Sequence, residues 1–230
     1  AAEAIAGFRQ RLRASDEAAL SSSDAATYAV LEFVLDQRAM RAQFDTQRLP
    51  FTNDSGFHTT PGYAARTSRA RTVEEAEAWL GRLRTLPDYL EQNRAWLAYG
   101  VETGWTQPAE IVPGVINQIE AIAAVSPEES GLLGPIQALP ASIDAAERER
   151  LLTEAEAIVT ETVRPAYADL ARFMRETYLP AARDTLGARA MPGGDAYYEA
   201  LVKSFTTLEL TPEEVHQTGL AEVARIRSQM

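Results

Sequence analysis

The segment Thr72-Val-Glu-Glu75-Ala-Glu-Ala-Trp79-Leu80-Gly-Arg-Leu83-Arg-Thr-Leu86 decides the fold class. Trp79, Leu80, Leu83 and Leu86 recur at the three- and four-residue spacing that puts side chains on one face of an α-helix. Thr72 followed three residues later by Glu75 reads as a capping box: the threonine oxygen accepts a free amide while the carboxylate reaches back. Pro87 is expected to open a second helix through Leu90, Trp96, Leu97 and Val101, with a stop near Gly104, so that the two pack as a bent pair.

The same period recurs on both sides of this segment. Ala4 to Ala14 is rich in Ala and Arg, and a run from about Asp24 to Phe44 aligns Tyr28, Leu31, Leu35, Ala39 and Ala42. Downstream, Pro108 is expected to begin a helix carrying Ile111, Val115, Ile119 and Ile122, in which Pro113 produces a kink or a ragged first turn. Ile143 to Val163 is apolar at Leu151, Ala155, Ile158 and Val159, and beyond Pro165 the pattern continues through Tyr167, Leu170, Met174 and Tyr178 until Pro180 ends or bends it. After Asp195 to about Ser204, Thr211-Pro-Glu-Glu214 starts a last helix, still periodic at Leu220, Val223, Ile226 and Met230. No stop signal follows, which predicts that this helix runs on past the chain.

Strict two-residue alternation is missing, so the pattern predicts an all-α fold: an irregular multi-helix array of antiparallel helix pairs. Between residues 45 and 68 the period fails among Pro50, Gly56, Pro61 and Gly62, and a long irregular loop is expected there, of a length often tied to function. N-terminal helices and this loop would fill residues 1–70, with a helical core over 71–230.

Composition removes several functions. An apolar share of 46% with 24% charged suits a globular chain with a real core. The 33 acidic against 22 basic residues give a net charge of −11, which repels phosphate backbones and argues against a nucleic-acid partner. With no cysteine there is no disulfide, no thiolate nucleophile and no Cys-ligated metal. The two histidines, His58 and His216, would both be consumed by a zinc site built within this chain. No run of about 18 apolar residues exists, so no membrane span is expected. Ala1-Ala2 suits trimming after a small-residue signal cleavage site, which leaves the compartment open between exported and cytoplasmic.

Few motifs carry chemistry, and no residue is assigned a catalytic role. Glu213 and His216 have the Glu-x-x-His spacing of helical di-metal sites, but the second such pair is missing, and Glu213 and Glu214 read as first-turn acids. Pro192-Gly193-Gly194-Asp195-Ala-Tyr197-Tyr198 could offer backbone amides to an anion or a peptide carboxylate, with phenols to support an oxyanion. The plainer alternative is a glycine turn, an Asp cap and two half-buried aromatics. His58 reads as a solvated loop histidine. Trp79, Trp96, Trp105, Tyr167 and Phe173 read as packing, and Glu147, Glu149, Glu154 and Glu156 as a solvated face balanced by Arg148 and Arg150.

Four stretches together resemble a bacterial family catalogued as domain of unknown function 885: Arg82-Leu-Arg-Thr-Leu-Pro-Asp-Tyr-Leu-Glu-Gln92, Tyr178-Leu-Pro-Ala-Ala-Arg183, the Pro192 to Tyr198 run, and Leu210-Thr-Pro-Glu-Glu-Val-His-Gln-Thr-Gly-Leu220. The resemblance implies a helical zinc metallopeptidase of twice this length or more, whose His-Glu-x-x-His helix lies in its C-terminal half. That motif is absent here, so no metal ligand carries over, and zinc is expected only in the full-length protein. There the implied chemistry is a metal-activated water attacking a peptide carbonyl. This chain would be a non-catalytic N-terminal portion that forms a substrate cleft for a peptide-like substrate beside the C-terminal catalytic half. Tyr197, Tyr198 and His216 fall on family-like positions, and together with Gly193 and Gly194 they are the candidate substrate-binding residues. A complete non-catalytic helical binding or scaffold domain is the alternative.

Overall fold

In the computed structural model, which describes residues 2–230, every regular element is helical. Ala1, half of the small-residue pair read as a cleavage remnant, lies outside the described residues. The order is α1 (Ala2–Arg13), α2 (Ser22–Gln43), α3 (Thr60–Thr67), α4 (Val73–Thr103), α5 (Val112–Ala124), α6 (Gly134–Gln137), α7 (Ala145–Ile158), α8 (Arg164–Phe173), α9 (Leu179–Ala181), α10 (Gly194–Thr206) and α11 (Pro212–Gln229). These elements form two compact units, one made of residues 1–46 and 187–230 and the other of residues 47–186. The boundary expected near residue 70 falls inside the second.

In the second unit, α4 is one helix of 31 residues and not a bent pair opened at Pro87. Proline removes one intrahelical hydrogen bond and crowds the preceding turn, at about 3 kcal/mol. Against that, α4 buries Leu80, Leu83, Leu86, Leu90 and Leu97, each contributing about 1.5–3 kcal/mol, so tertiary packing outweighs the local break. Thr72 caps the start by accepting the Glu75 amide at 3.2 Å. The Glu75 carboxylate reaches one residue further back than a capping box requires, to the Arg71 amide at 2.6 Å. Gly104, in the left-handed conformation at φ 71°, closes the helix.

The chain from Ala145 to Ala181 stays helical through two prolines by means of two π-turns, Val159–Val163 and Met174–Tyr178. Each ends just before a proline-bearing turn, Arg164-Pro165 and Leu179-Pro180. A π-turn bonds each amide to the fifth residue back, and this wider spacing accommodates a proline that would strain a regular helix. The bulges also re-phase the apolar face, so that Val159, Val163, Tyr167, Leu170, Met174 and Tyr178 are all buried. Within this unit α5 lies along α8, while α4 packs against α7 and α8. Helix α5 begins at Val112 rather than at Pro108. Pro113 sits in its first turn, where a missing amide costs nothing, so no kink results.

The segment expected to be an irregular loop over 45–68 is ordered against this core. Residues 60–67 form α3, started by Thr60-Pro61, and the Phe51 and Phe57 side chains are buried. A tight turn joins them: the Phe57 amide donates to the Pro50 carbonyl at 3.1 Å. Gly56, at φ 157°, leaves no room for a Cβ, which would meet the Phe51 Cα at 2.6 Å. Trp96, expected in the core, is instead 38% exposed and lies against the Tyr99 ring, while Trp79 is buried and donates to the Leu132 carbonyl at 2.9 Å.

In the other unit, α1 pairs with α2 through an ion pair of Arg9 with Asp36 at 2.7 Å, and Ser204 of α10 bonds Gln37 of α2. Leu35, Met191 and Val202 are buried, whereas Phe8, Val30, Phe33 and Phe205 are exposed. All of α11 but Pro212 is exposed.

Candidate functional site

Helix α10 is built on the glycine pair flagged in the sequence. Gly193 takes the left-handed conformation at φ 70°, which a side chain would resist, and the Gly194 amide donates to the Met191 carbonyl at 2.8 Å. A Cβ on Gly194 would fall on the Ala188 carbonyl oxygen, so the turn at 188–190 can pack on the helix start only because residue 194 has no side chain. Asp195, read as a possible cap, pairs instead with Arg189, and no side chain caps α10. Both glycines therefore have a backbone reason to be glycine.

Tyr197 and Tyr198 follow in the same turn, about 100° apart around the helix. Tyr197 is half-buried against the Phe44 ring, with centroids 5.3 Å apart, and burial pushes its phenol above the usual range. Tyr198 is 41% exposed and is the more open of the two side chains. His216 lies on a different element, α11, and is exposed. Its Glu-x-x-His partner Glu213 accepts from Gln217 Nε2 at 2.7 Å. Glu214 completes a capping box with Thr211, whose hydrogen bonds hold that carboxyl below the usual carboxylate range. Four of the five candidate residues thus lie at the cap and in the first two turns of one helix, and the fifth stands on a separate helix.

His58 reverses its sequence reading: it is 0% exposed. Its Nε2 lies 3.0 Å from Gln118 Oε1, while Gln118 Nε2 donates to the Asn53 carbonyl at 3.1 Å. Because the amide nitrogen is engaged as a donor, its oxygen must accept, which places the imidazole proton on Nε2 and leaves Nδ1 an acceptor. That Nδ1 is buried with no hydrogen-bond partner. The Tyr167 hydroxyl donates to the His58 carbonyl at 2.9 Å, and burial holds the imidazole below its ordinary pKa. The local signal for this site was Thr60-Pro61, a helix start directly after the histidine, which argues against a mobile loop.

The zinc implied by the family resemblance does not fit the residues of this chain. The buried histidine faces an amide and not a second ligand, the other histidine is exposed, and among the described residues no three His, Asp or Glu side chains gather closely enough to hold a metal ion. Nor is any helix among them long and apolar enough to cross a membrane.

A family model described as a bacterial protein of unknown function, DUF885, matches residues 1–230. Among curated proteins none matches. Among solved structures, a crystal structure from Colwellia psychrerythraea, described as a lipoprotein, aligns with a TM-score of 0.66 and 25% identity over 70% of this chain. The chain spans 28% of the length of that protein.

Proposed function

Because this chain belongs to the bacterial DUF885 family, we propose that it forms a non-catalytic helical part of a larger, zinc metallopeptidase-like hydrolase, with the metal ligands elsewhere in the longer protein. In this reading the helices supply one wall of a cleft for a peptide-like substrate. The Gly193-Gly194 turn and the exposed Tyr198 side chain stand at that wall, the tyrosine as a hydrogen-bond donor to substrate.

The observation that carries the proposal is α11. Its Leu220, Val223 and Ile226 recur at three-residue intervals, all exposed. An isolated 18-residue helix is marginal in water, and an apolar stripe of this kind is normally covered. The remainder of a longer family protein is the natural cover, and the solved relative, several times longer than the aligned region, is an example of such a protein.

The test compares the longer protein with the 230-residue chain. Stoichiometric zinc and peptide hydrolysis are expected in the former and absent from the latter. Tyr198→Phe in the longer protein should lower turnover roughly 10- to 100-fold with its melting temperature unchanged. Zinc bound by the short chain together with unaided hydrolysis would sink the proposal. A longer protein free of both metal and activity would leave the scaffold reading in its place.

A further inference from the structure

Helices α3 and α4 each rest on residues 131–137, and they touch that floor more than one another, which leaves a trough between them within the larger unit. It holds two adjoining cavities, of about 270 and 330 Å³, that share Trp79 and Arg82 as a common wall. The indole is fixed there by its bond to the Leu132 carbonyl. The first cavity is walled by Pro61, Ala64, Leu83 and Leu86 over Leu132, with half-buried Tyr89 completing the lining. Its two threonine hydroxyls are already spent: Thr60 donates to the Gly56 carbonyl at 2.9 Å and Thr85 to the Arg82 carbonyl at 3.1 Å. The second cavity is polar, lined by Ser68, Arg69 and Glu75 beside Arg82, and the Glu75 carboxylate is engaged by the Arg71 amide at 2.6 Å.

Charge at the polar end runs against that of the chain. Residues 55–73 hold Arg66, Arg69 and Arg71 and no acid, in a protein of net charge −11. Arg69 and Arg82 are both exposed, and among the described residues neither forms an ion pair. Arg69 Nη1 donates to the Ser68 and Arg66 carbonyls, and the Arg82 guanidinium stands 5.9 Å from the Trp79 ring centroid. Close by, Arg84 pairs with Glu154 and Arg150 with Glu77. An apolar cavity that opens beside two unneutralised guanidinium groups is complementary to a ligand with one apolar end and one anionic end. An amphipathic helix would need apolar contact along the whole trough. We propose that the trough binds a fatty-acid-like carboxylate, with its hydrocarbon tail in the first cavity and its head at Arg82 and Arg69. From Arg82 to Tyr89 α4 rises about 10 Å, which suits a tail of octanoyl length. The site does not depend on the hydrolase reading above, and it would stand if that reading failed.

The experiment follows the Trp79 indole N–H by NMR in the 230-residue chain during titration with sodium octanoate. A saturable shift is expected with a Kd of about 1 mM, weakened about tenfold by Arg69→Gln or by Arg82→Gln, both at exposed positions where the fold is kept. Butanoate, with fewer methylenes to bury, should bind at least about tenfold more weakly. Octylammonium has the same tail and the opposite charge; it should give no saturable shift, although the acidic chain as a whole attracts cations. Ala64→Leu narrows the first cavity and should also weaken octanoate about tenfold. Absence of a saturable shift up to about 20 mM octanoate in folded protein would overturn the proposal. So would equal responses to octanoate and octylammonium, or full affinity in both arginine variants. A chain that sediments as a dimer dispersed by Arg82→Gln would overturn it too, by placing a second copy in the trough.

Discussion

The Tyr178 hydroxyl accepts the Gln107 amide at 2.8 Å, tying the end of the second π-turn to the loop that follows α4. The ring is fully buried and packs edge-on against Phe51, with centroids 5.6 Å apart, and burial pushes the phenol up to about 12. One side chain thus joins three separate stretches of the larger unit, its oxygen to Gln107 and its ring to Phe51. Tyr178→Phe keeps the ring and strands the amide, so a loss of about 1–3 kcal/mol is expected in urea unfolding. A loss below a few tenths would show that the bond is replaced by solvent.

The glycine pair at the start of α10 makes a graded prediction. Gly193→Ala forces a residue with a side chain into the left-handed region and should cost about 1 kcal/mol. Gly194→Ala sets a methyl group against the Ala188 carbonyl and should cost about 1–3 kcal/mol, because the backbone at 188–190 must move. Thermal unfolding of both variants gives the order. If Gly194→Ala is the milder change, the packing of that turn on α10 is looser than described.

His58 gives the protein an acid-side weakness. Burial lowers its native pKa, with the Gln118 bond acting in the opposite direction as the smaller effect. Above about pH 6.5 both native and unfolded forms are neutral and the residue contributes no pH dependence. As the pH falls below that value, the unfolded chain binds a proton that the native state refuses, so stability declines. Glu91, Glu147 and Glu214, held below their usual range by Arg94, Arg150 and Thr211 respectively, lose their contributions only below about pH 4.5. Urea titrations between pH 7 and 5 should therefore show a decline that His58→Gln removes. An unchanged slope in His58→Gln would assign the decline to another group.

The contrast between these sites explains what could be read in the residues alone. The apolar face of α4 is written locally, in Leu80, Leu83 and Leu86, and needs no knowledge of what covers it. Its continuity through Pro87 is not local, since it depends on the packing of α4 against α7 and α8, which outweighs one lost hydrogen bond. The same holds for the π-turns ahead of Pro165 and Pro180, where the proline is visible and the accommodation is not. His58 was misread for a similar reason: its partners Gln118 and Tyr167 lie 60 and 109 residues away, and only the fold joins them. At the α10 turn the residue types were legible as glycine turn and paired tyrosines. That Tyr197 is the half-buried one of the pair depended on the Phe44 ring packed against it, 153 positions earlier in the chain.

Helix α11 offers the sharpest separation between what this chain needs and what a longer protein would need. Leu220 is 53% exposed, and Val223 and Ile226 are similarly open, so Leu220→Glu, Val223→Glu and Ile226→Glu should each change the stability of the 230-residue chain by no more than about 0.5 kcal/mol. A core truncation such as Leu97→Ala should instead cost about 2–5 kcal/mol in the same assay. In a longer family protein, where the stripe would be covered, each glutamate would be buried without a partner and the same substitutions should become strongly destabilising. Measuring one variant in both lengths isolates the cover from the helix. A large loss already in the short chain would mean that the stripe packs within it, and would remove the main support for a missing partner surface.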